Sequence, residues 1–253
     1  MITDSFDSKT PAIINPKISD DLPRVDACIV TFSNVIERFV LDNYDCIQIA
    51  SFKFVTGETP IYQINHNNKK FAFFRTYVGG PACVGSIEDT LSKIKTDKYI
   101  VFGGAGCLNK EIARGKIMIP NRSYRDEGTS YHYVPAADYI CVNNYRTVEA
   151  FMKENSIPHI VGGNWTTDSF YRETRGNFQK RKDDGCISVD MECSSIQAMC
   201  NFRGLQFYTF FSSGDLLDAP EWDSRKYNNT LAGSQHDGNL FVIALELANY
   251  ITE

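Results

Sequence analysis

The sequence has few histidines, no closely paired cysteines, no surplus of basic residues and no long hydrophobic run. Its 26 Lys and Arg residues are outnumbered by 31 Asp and Glu residues, which gives a formal charge of −5 at pH 7. Because proteins that bind the phosphate backbone carry a positive surplus, this balance argues against nucleic-acid binding. The longest apolar runs, such as residues 99–102 and 207–211, are far too short to cross a bilayer. We therefore expect neither nucleic acid nor a membrane as a partner.

The eight cysteines and four histidines are too scattered to form a metal site or a disulfide framework. No two cysteines stand as C-x-x-C, most lie in apolar stretches, and the histidines are far apart. Residues 1–7 lack the basic start and apolar stretch of a secretion signal. We expect buried free thiols, no metal and a cytoplasmic protein.

The length and composition are those of one globular domain. The chain has 253 residues, of which 43% are hydrophobic and 23% charged. Residues 1–24 are polar and contain three prolines, which predicts an N-terminal arm lying on the surface. No linker, repeat or low-complexity segment divides residues 25–253, so we expect them to form a single domain.

The pattern of apolar residues indicates alternating strands and helices. Asn67-Asn68 predicts a hairpin turn between two strands. Segments rich in β-branched or aromatic residues predict strands at 27–32, 46–54, 60–64, 71–78, 99–102, 117–119, 160–165 and 205–211. Helical spacing predicts helices at 82–95, 191–202 and 239–252, and the end of one at 148–154. We predict an α/β fold in which helices flank a central mixed, largely buried sheet.

Glycines follow one of these strands directly. After residues 99–102 come Gly103, Gly104 and Gly106, which predict a turn where backbone N–H groups could approach an anion or a ribose. The segment is neither a Walker loop nor Gly-x-Gly-x-x-Gly. A tight structural turn is an equally good interpretation, and the same holds for Gly79-Gly80-Pro81.

Residues 125–133 are unusually rich in polar and aromatic side chains. This segment contains Arg125, Glu127 and His132, and it follows the predicted strand at 117–119. A solvated loop with this many donors and rings could bind a sugar and a base. A plain surface loop is the alternative.

Two acidic segments could carry chemistry. Asp190-Met191-Glu192 stands where a helix begins, and an ionised Glu can accept both hydroxyls of a vicinal diol such as that of ribose. Asp190 could instead only cap the helix. Asp215 follows an apolar strand, where open α/β sheets place catalytic groups, and a partly desolvated Asp could act as a general acid. A turn-forming Asp is the alternative.

These segments, in this order, resemble the nucleoside phosphorylase type I superfamily over roughly residues 26–250. Its members include purine nucleoside phosphorylases, uridine phosphorylases and nucleosidases, with a three-layer α/β/α fold. Asp190-Met191-Glu192 resembles the ribose-binding Glu-Met-Glu of the superfamily. Ser213-Gly214-Asp215 resembles its Ser-Asp, whose Asp protonates purine N7 as the glycosidic bond breaks. The segment 167–171 is similar to the one whose Phe, here Phe170, stacks on the base.

The resemblance implies that Glu192 holds the ribose diol, with Asp190 beside it and Met191 against the sugar. Phe170 and Ser213 would bind the base, and Asp215 would protonate it. The resemblance also implies inorganic phosphate as co-substrate and no metal or organic cofactor. It further implies a homo-oligomer built from dimers, such as a trimer of dimers.

The phosphate-binding arginines of the superfamily are missing. Residues 31–38 lack its Gly-Asp-Pro-x-Arg, and residues 101–104 lack its Arg-x-Gly-Ser/Thr. A dianion in a cleft needs charge-assisted donors. We consider Arg75, Arg38 and Arg125 as replacements, together with backbone N–H groups at Gly103 and Gly104.

The substrate indications conflict. Residues 125–133, with Glu127 and His132 as further pocket candidates, look most like the uridine phosphorylase branch, but residues 172–175 do not reproduce its uracil-reading Gln-x-Arg. Asp215 favours a purine. The leading hypothesis is a purine nucleoside phosphorylase. The alternatives are a hydrolase in which a carboxylate such as Glu37 activates water, a uridine phosphorylase, and a non-catalytic nucleoside-binding or storage protein.

Overall fold

The computed structural model describes residues 1–225 and 231–253 as one α/β domain. Ten strands form its sheet: β1 (Ala27–Thr31), β2 (Cys46–Phe54), β3 (Gly57–His66), β4 (Lys69–Arg75), β5 (Lys98–Cys107), β6 (Ile117–Asp126), β7 (Tyr139–Cys141), β8 (His159–Thr167), β9 (Cys186–Asp190) and β10 (Gln206–Leu216). The helices within the described ranges are α1 (Asn34–Asn43), α2 (Gly80–Thr90), α3 (Tyr145–Glu154), α4 (Arg175–Asp183), α5 (Cys193–Arg203) and α6 (Leu231–Tyr250). The predicted α/β class and mixed sheet are confirmed.

The long strand β5 organises the sheet. Its first half runs parallel to β1 on one side and to β10 on the other, while Gly106 and Cys107 at its end pair antiparallel with β9. Because β10 also pairs with β6, and β8 joins β6 to β9, five strands close into a ring. Outside this ring, β7 pairs with β6, and the sheet extends from β1 through β4 and β3 to β2. The ends of β5, β9 and β10 are thereby brought together.

Both faces of the sheet are buried beneath helices. Along β1, Val30 points into a cluster with α2 and α5, whereas Ile29 points into a cluster with α1, α3 and α6. Both side chains are fully buried. Each such burial is worth about 1.5–3 kcal/mol. Successive side chains of a strand point to opposite faces of the sheet, so neighbouring residues of β1 pack against different layers of helices.

The predicted hairpin turn is confirmed. Asn67 and Asn68 have φ of 49° and 62°, the left-handed conformation that a tight two-residue hairpin needs. The strand bounds hold closely at 46–54, whereas most other predicted strands continue for several residues beyond the prediction. The helix predicted at 82–95 ends at Thr90, and that predicted at 239–252 already begins at Leu231.

The glycine turn predicted after residue 102 is wrong. Gly103, Gly104 and Gly106 continue β5, where Gly103 pairs with Phe211 of β10. The missing side chains let neighbours approach, because a Cβ on Gly106 would lie 2.7 Å from Cγ1 of Val189. Gly106 therefore serves close packing inside the closed ring of strands.

The solvated loop predicted at 125–133 is also wrong. Arg125 lies within β6, next to its last residue, and Thr129–His132 form a short 3₁₀ helix. Arg125, Glu127 and Ser130 are buried because this segment packs against α5. The buried polar side chains pair with protein groups: Arg125 donates to Ser130, and Glu127 accepts from α5.

Residues 1–24 are almost entirely exposed, apart from the partly buried Ser5, Phe6, Pro16 and Leu22. The backbone of Lys95 donates to the carbonyl of Pro23, which fastens the end of this segment to the domain. All eight cysteines are free thiols, and six are buried as expected, whereas Cys46 is half-buried and Cys141 exposed. Among the described residues, no helix has both the length and the apolarity needed to span a membrane.

Candidate active site

A cavity of about 930 Å³ opens where β5, β9 and β10 end. This volume is of the size that holds drug-sized ligands in proteins. Among the residues singled out from the sequence, the lining includes Gly104, Gly106, Phe170, Asp190, Met191, Glu192 and Asp215. The fold therefore brings together in one cavity segments that are far apart along the chain.

Glu192 is held at the wall of this cavity. The backbone N–H of Gly79 donates to its Oε1 over 2.6 Å, and the side chain is only 7% exposed. Gly79 precedes α2 with φ of 101°, a conformation that suits glycine and aims its N–H at the carboxyl group. Burial and the charge of Asp190 raise the pKa of Glu192 well above its usual range.

Asp190 both caps a helix and lines the cavity. One carboxylate oxygen accepts from Nδ2 of Asn164 and Oγ1 of Thr166, each over 2.7 Å. The other accepts from the backbone N–H groups of Glu192 at 3.1 Å and Cys193 at 2.6 Å, where α5 begins. Burial raises the pKa of Asp190 and these four donors oppose the rise. These donors stabilise the negative charge of Asp190, and that charge is one cause of the raised pKa of Glu192.

Aromatic rings stand at the outer end of the cavity. Phe170 is 53% exposed, and its ring centroid lies 4.2 Å from that of Tyr171. Trp222 also lines the cavity, and its Nε1 donates to Oδ2 of Asp215 over 2.7 Å. Ser213, predicted to bind the base, is buried on β10, and its Oγ accepts from Nη1 of Arg225 over 3.1 Å.

Glu173 is a cavity residue that our sequence reasoning missed. Its half-buried carboxyl group lines the same space as Asp215, and no described residue donates a hydrogen bond to it. Burial and the charge of Asp215 raise the pKa of Glu173 to about 7. The sequence signal for it is its place three residues after Phe170, the residue proposed to stack on the base.

Arg175 is the one cationic side chain that lines the cavity in the described part of the chain. Its Nη1 donates to the carbonyl of Leu217 over 3.0 Å, and its Nη2 donates to that of Pro220 over 2.7 Å. The guanidinium group thus holds the segment after β10 against the rest of the domain. Its hydrogen bonds go to the protein backbone.

The structure does not bring Arg125, Glu127 and His132 into this cavity. The Nε of Arg125 donates to Ser130 and its guanidinium lies 4.1 Å from the Tyr131 ring centroid. Glu127 accepts hydrogen bonds from the hydroxyls of two α5 serines, Ser194 and Ser195. His132 lines a separate cavity of about 430 Å³.

The places considered for phosphate are partly filled by the protein. Arg75 does not line the cavity, and its Nε lies 2.7 Å from Oε2 of Glu37. The ring of Phe32 lies against Gly103, where a Cβ would stand 3.2 Å from Cδ2 of the ring. Gly104 does line the cavity, and no atom lies within 4 Å of the position its Cβ would take.

The profile of the Phosphorylase superfamily matches residues 27–237. The match covers most of the chain and includes every cavity residue described above. The protein belongs to the phosphorylase superfamily.

The proteins to which this chain is similar are named for different substrates. The uridine phosphorylase of Haemophilus influenzae is 25% identical over 157 residues, which are 55% of this chain and 62% of that protein. The DeoD-type purine nucleoside phosphorylase of Alkaliphilus metalliredigens is 22% identical over 219 residues, 85% of this chain and 88% of that protein. An uncharacterized protein, R802, of Acanthamoeba polyphaga mimivirus is 25% identical over 182 residues, 72% of this chain and 71% of that protein. The chain thus spans under two thirds of the uridine phosphorylase.

Proposed function

We propose that this protein cleaves the N-glycosidic bond of a purine nucleoside with inorganic phosphate, releasing the free base and ribose 1-phosphate. One observation carries the proposal: a buried carboxyl group, Glu192, shares a single cavity with Phe170 and Asp215. Acceptors for a sugar and partners for a base thus stand at the two ends of one space.

The inner end suits the sugar. Glu192 is fixed by Gly79 and can hold a ribose diol, because a carboxylate accepts two hydroxyls in a fork. Met191 lies beside it in the cavity wall and offers an apolar surface for the ring of the sugar.

The outer end suits a purine. The exposed ring of Phe170 offers a stacking surface, and the carboxyl groups of Glu173 and Asp215 stand near it. A departing purine takes up a proton at N7, so a carboxylic acid near the base speeds its release. This chemistry favours a purine over uracil, whose ring has no corresponding nitrogen.

Hydrolysis is the second candidate, and the surroundings of Phe32 and Arg75 favour it. An aromatic ring lies over Gly103, and Arg75 is paired with Glu37. A dianion would then have to rely on backbone N–H groups such as that of Gly104. Water needs no such charged partners.

Release of free base tests both candidates. Inosine, guanosine, adenosine, 5′-methylthioadenosine and uridine are each incubated with the protein, with and without phosphate, and the bases are separated by chromatography. Purine release that requires phosphate supports the proposal. Release that is independent of phosphate identifies a nucleosidase. Binding without any release, measured by calorimetry, would identify a nucleoside-binding protein. The homo-oligomeric state and the cytoplasmic location stay predictions.

A further inference from the structure

We propose that Glu127, which lies outside the cavity, is a positioning residue that sets the orientation of Glu192 towards the sugar. The carboxyl group of Glu127 is buried against the first turn of α5, the helix that begins directly after Glu192. The assignment rests on the proposed function in one respect, because it takes Glu192 as the group that holds the ribose diol.

The carboxyl group of Glu127 is bound to α5 by two side-chain hydrogen bonds. The hydroxyl of Ser194 donates to its Oε1 over 2.9 Å, and the hydroxyl of Ser195 donates to its Oε2 over 2.6 Å. Oε2 also accepts the backbone N–H of Ser130 over 2.9 Å, which ties the 3₁₀ helix after β6 to the same group. All four residues are buried, where hydrogen bonds are stronger than in water. Glu127 therefore fixes the first turn of α5.

The hydrogen bond to Ser195 is linked to the one that holds Glu192. A Cβ on Gly80 would lie 2.5 Å from Oγ of Ser195, so the starts of α2 and α5 touch at this point. The preceding residue, Gly79, donates its N–H to Oε1 of Glu192 over 2.6 Å. A shift of Ser195 would press on Gly80 or leave a gap beside it, and either change alters the bond at Gly79.

The hydrogen bond to Ser194 leads to the other side of Glu192. The backbone N–H of Ser194 donates to Oγ1 of Thr166 over 3.1 Å, and that hydroxyl donates to Asp190 over 2.7 Å. Asp190 in turn accepts the backbone N–H of Glu192 over 3.1 Å. Each oxygen of Glu127 is thus connected, through one serine, to a group that holds Glu192.

This positioning matters because a fork of two hydrogen bonds requires both carboxyl oxygens at the right distance from a diol. Gly79 fixes one oxygen of Glu192, so the rotation of the carboxyl group about that bond decides which hydroxyls it reaches. Glu127 does not line the cavity, so it acts on the sugar only by way of α5.

Two matched variants separate positioning from stability. Glu127→Gln keeps the shape of the side chain but presents an amide NH₂ to groups that now donate, so at least one hydrogen bond to α5 or Ser130 is lost. Glu88→Gln is the control, because Glu88 accepts from Tyr133 and from Arg203, the last residue of α5. Each substitution removes an acceptor that holds α5, one at each end of the helix.

The first readout is the discrimination between inosine and 2′-deoxyinosine, which lacks one hydroxyl of the diol. We expect Glu127→Gln to lower kcat/KM for inosine ~10-fold and that for 2′-deoxyinosine by less than about threefold. Glu88→Gln should keep the wild-type ratio of the two values, whatever its effect on stability. Ser195→Ala removes one of the donors to Glu127 and should lower the ratio by a smaller factor. It replaces Glu127→Gln if circular dichroism shows that the latter does not fold.

The second readout needs no turnover. A backbone N–H held 2.6 Å from a carboxyl oxygen gives a proton signal at low field. In protein labelled with ¹⁵N at its 17 glycines, the signal of Gly79 is identified by its displacement in Glu192→Gln. We expect this signal to move towards the position of ordinary amide protons in Glu127→Gln and in Ser195→Ala, and to stay in place in Glu88→Gln.

Either of two results would overturn the assignment. One is a loss of kcat/KM by the same factor for both nucleosides in Glu127→Gln, which would make Glu127 a residue of the fold alone. The other is a Gly79 signal that does not move in Glu127→Gln, or that moves as far in Glu88→Gln.

Failure of the proposed function gives a different result, namely a wild type that releases no base from either nucleoside. The assignment is then decided by the Gly79 signal and by the dissociation constants of both nucleosides, measured by calorimetry. An unchanged ratio of these constants in Glu127→Gln would overturn it. A wild type that binds neither nucleoside would overturn the assignment and the proposed function together.

Discussion

The backbone N–H of Gly79 and Oε1 of Glu192 are joined across 2.6 Å, and this bond connects the start of α2 with the start of α5. It fixes a buried carboxyl group whose neighbour Asp190 is itself held by four donors. The cavity thus presents an acidic group with one oriented oxygen, and the starts of two helices set its position.

Glu192→Gln should weaken recognition of the ribose diol. An amide offers one acceptor oxygen where the carboxylate offers two, and hydrogen bonds to charged groups are worth about 1.5–3 kcal/mol each. We expect kcat/KM for inosine to fall ~10–100-fold, and that for 2′-deoxyinosine to fall less, because the deoxy sugar makes only one of the two bonds. Steady-state kinetics with both nucleosides measure the ratio. An unchanged ratio would show that Glu192 does not contact the 2′-hydroxyl.

Trp222→Phe should slow base release while leaving the fold intact. The substitution keeps an aromatic ring but removes the N–H that Asp215 accepts. The carboxyl group of Asp215 then loses the donor that orients it in the cavity, so we expect kcat/KM for inosine to fall about tenfold. Because Trp222 is 67% exposed, we expect Tm to change by no more than about 2 °C. Wild-type kinetics in this variant would mean that the hydrogen bond has no part in the reaction.

Stability should depend on pH through Glu173. The pKa of this carboxyl group rises from 4.5 to about 7 on folding, so between these values the native state binds more protons than the unfolded state. Its contribution to the free energy of unfolding is therefore full below pH 4.5, declines as the pH rises to about 7, and is lost above it. Urea unfolding of the wild type and of Glu173→Gln at several pH values gives the difference. A difference that is constant from pH 4 to 8 would contradict the raised pKa.

Helix α1 shows which fold information was readable and which was missed. Ile36 and Val40 lie four residues apart and are buried, and Ser33 accepts hydrogen bonds from the N–H groups of Val35 and Ile36 at the helix start. An N-cap serine before apolar residues at helical spacing is a sequence signal for this helix. The absence of a phosphate-binding motif from residues 31–38 says nothing against a helix there.

Other elements left no such signal. Helix α4 buries a single side chain, Phe178, and is otherwise polar, so its apolar periodicity is too weak to detect. The ring of strands arises because β5 pairs with both β9 and β10, a long-range arrangement that local patterns do not contain. The glycines at 103–106 therefore predict a turn, although in the structure they continue strand β5.

The residues of the candidate site show the same difference between local and long-range information. Asp190, Glu192 and Asp215 were found because each stands directly beside a predicted element, and the structure places them in one cavity. Glu173 was missed because its properties come from burial and from the charge of Asp215, a residue distant in sequence. The prediction of a solvated loop around Arg125 was wrong because its partners, Ser130 and the carbonyl of Pro135, become neighbours only after the segment folds back on itself.

Two glycines of β5 should respond differently to the same substitution. In Gly106→Ala the new Cβ would lie 2.7 Å from Cγ1 of Val189 and 2.9 Å from Cδ1 of Leu217, both of them in the packed wall of the cavity. Overpacking of this kind costs about 1–3 kcal/mol, so the variant should unfold at lower urea concentration than the wild type. Gly104→Ala is the matched control, because no atom lies within 4 Å of its Cβ position. Equal stability of the two variants would show that the close contact at Gly106 relaxes without cost, and that small residues at the end of β5 are not required for the ring of strands to close.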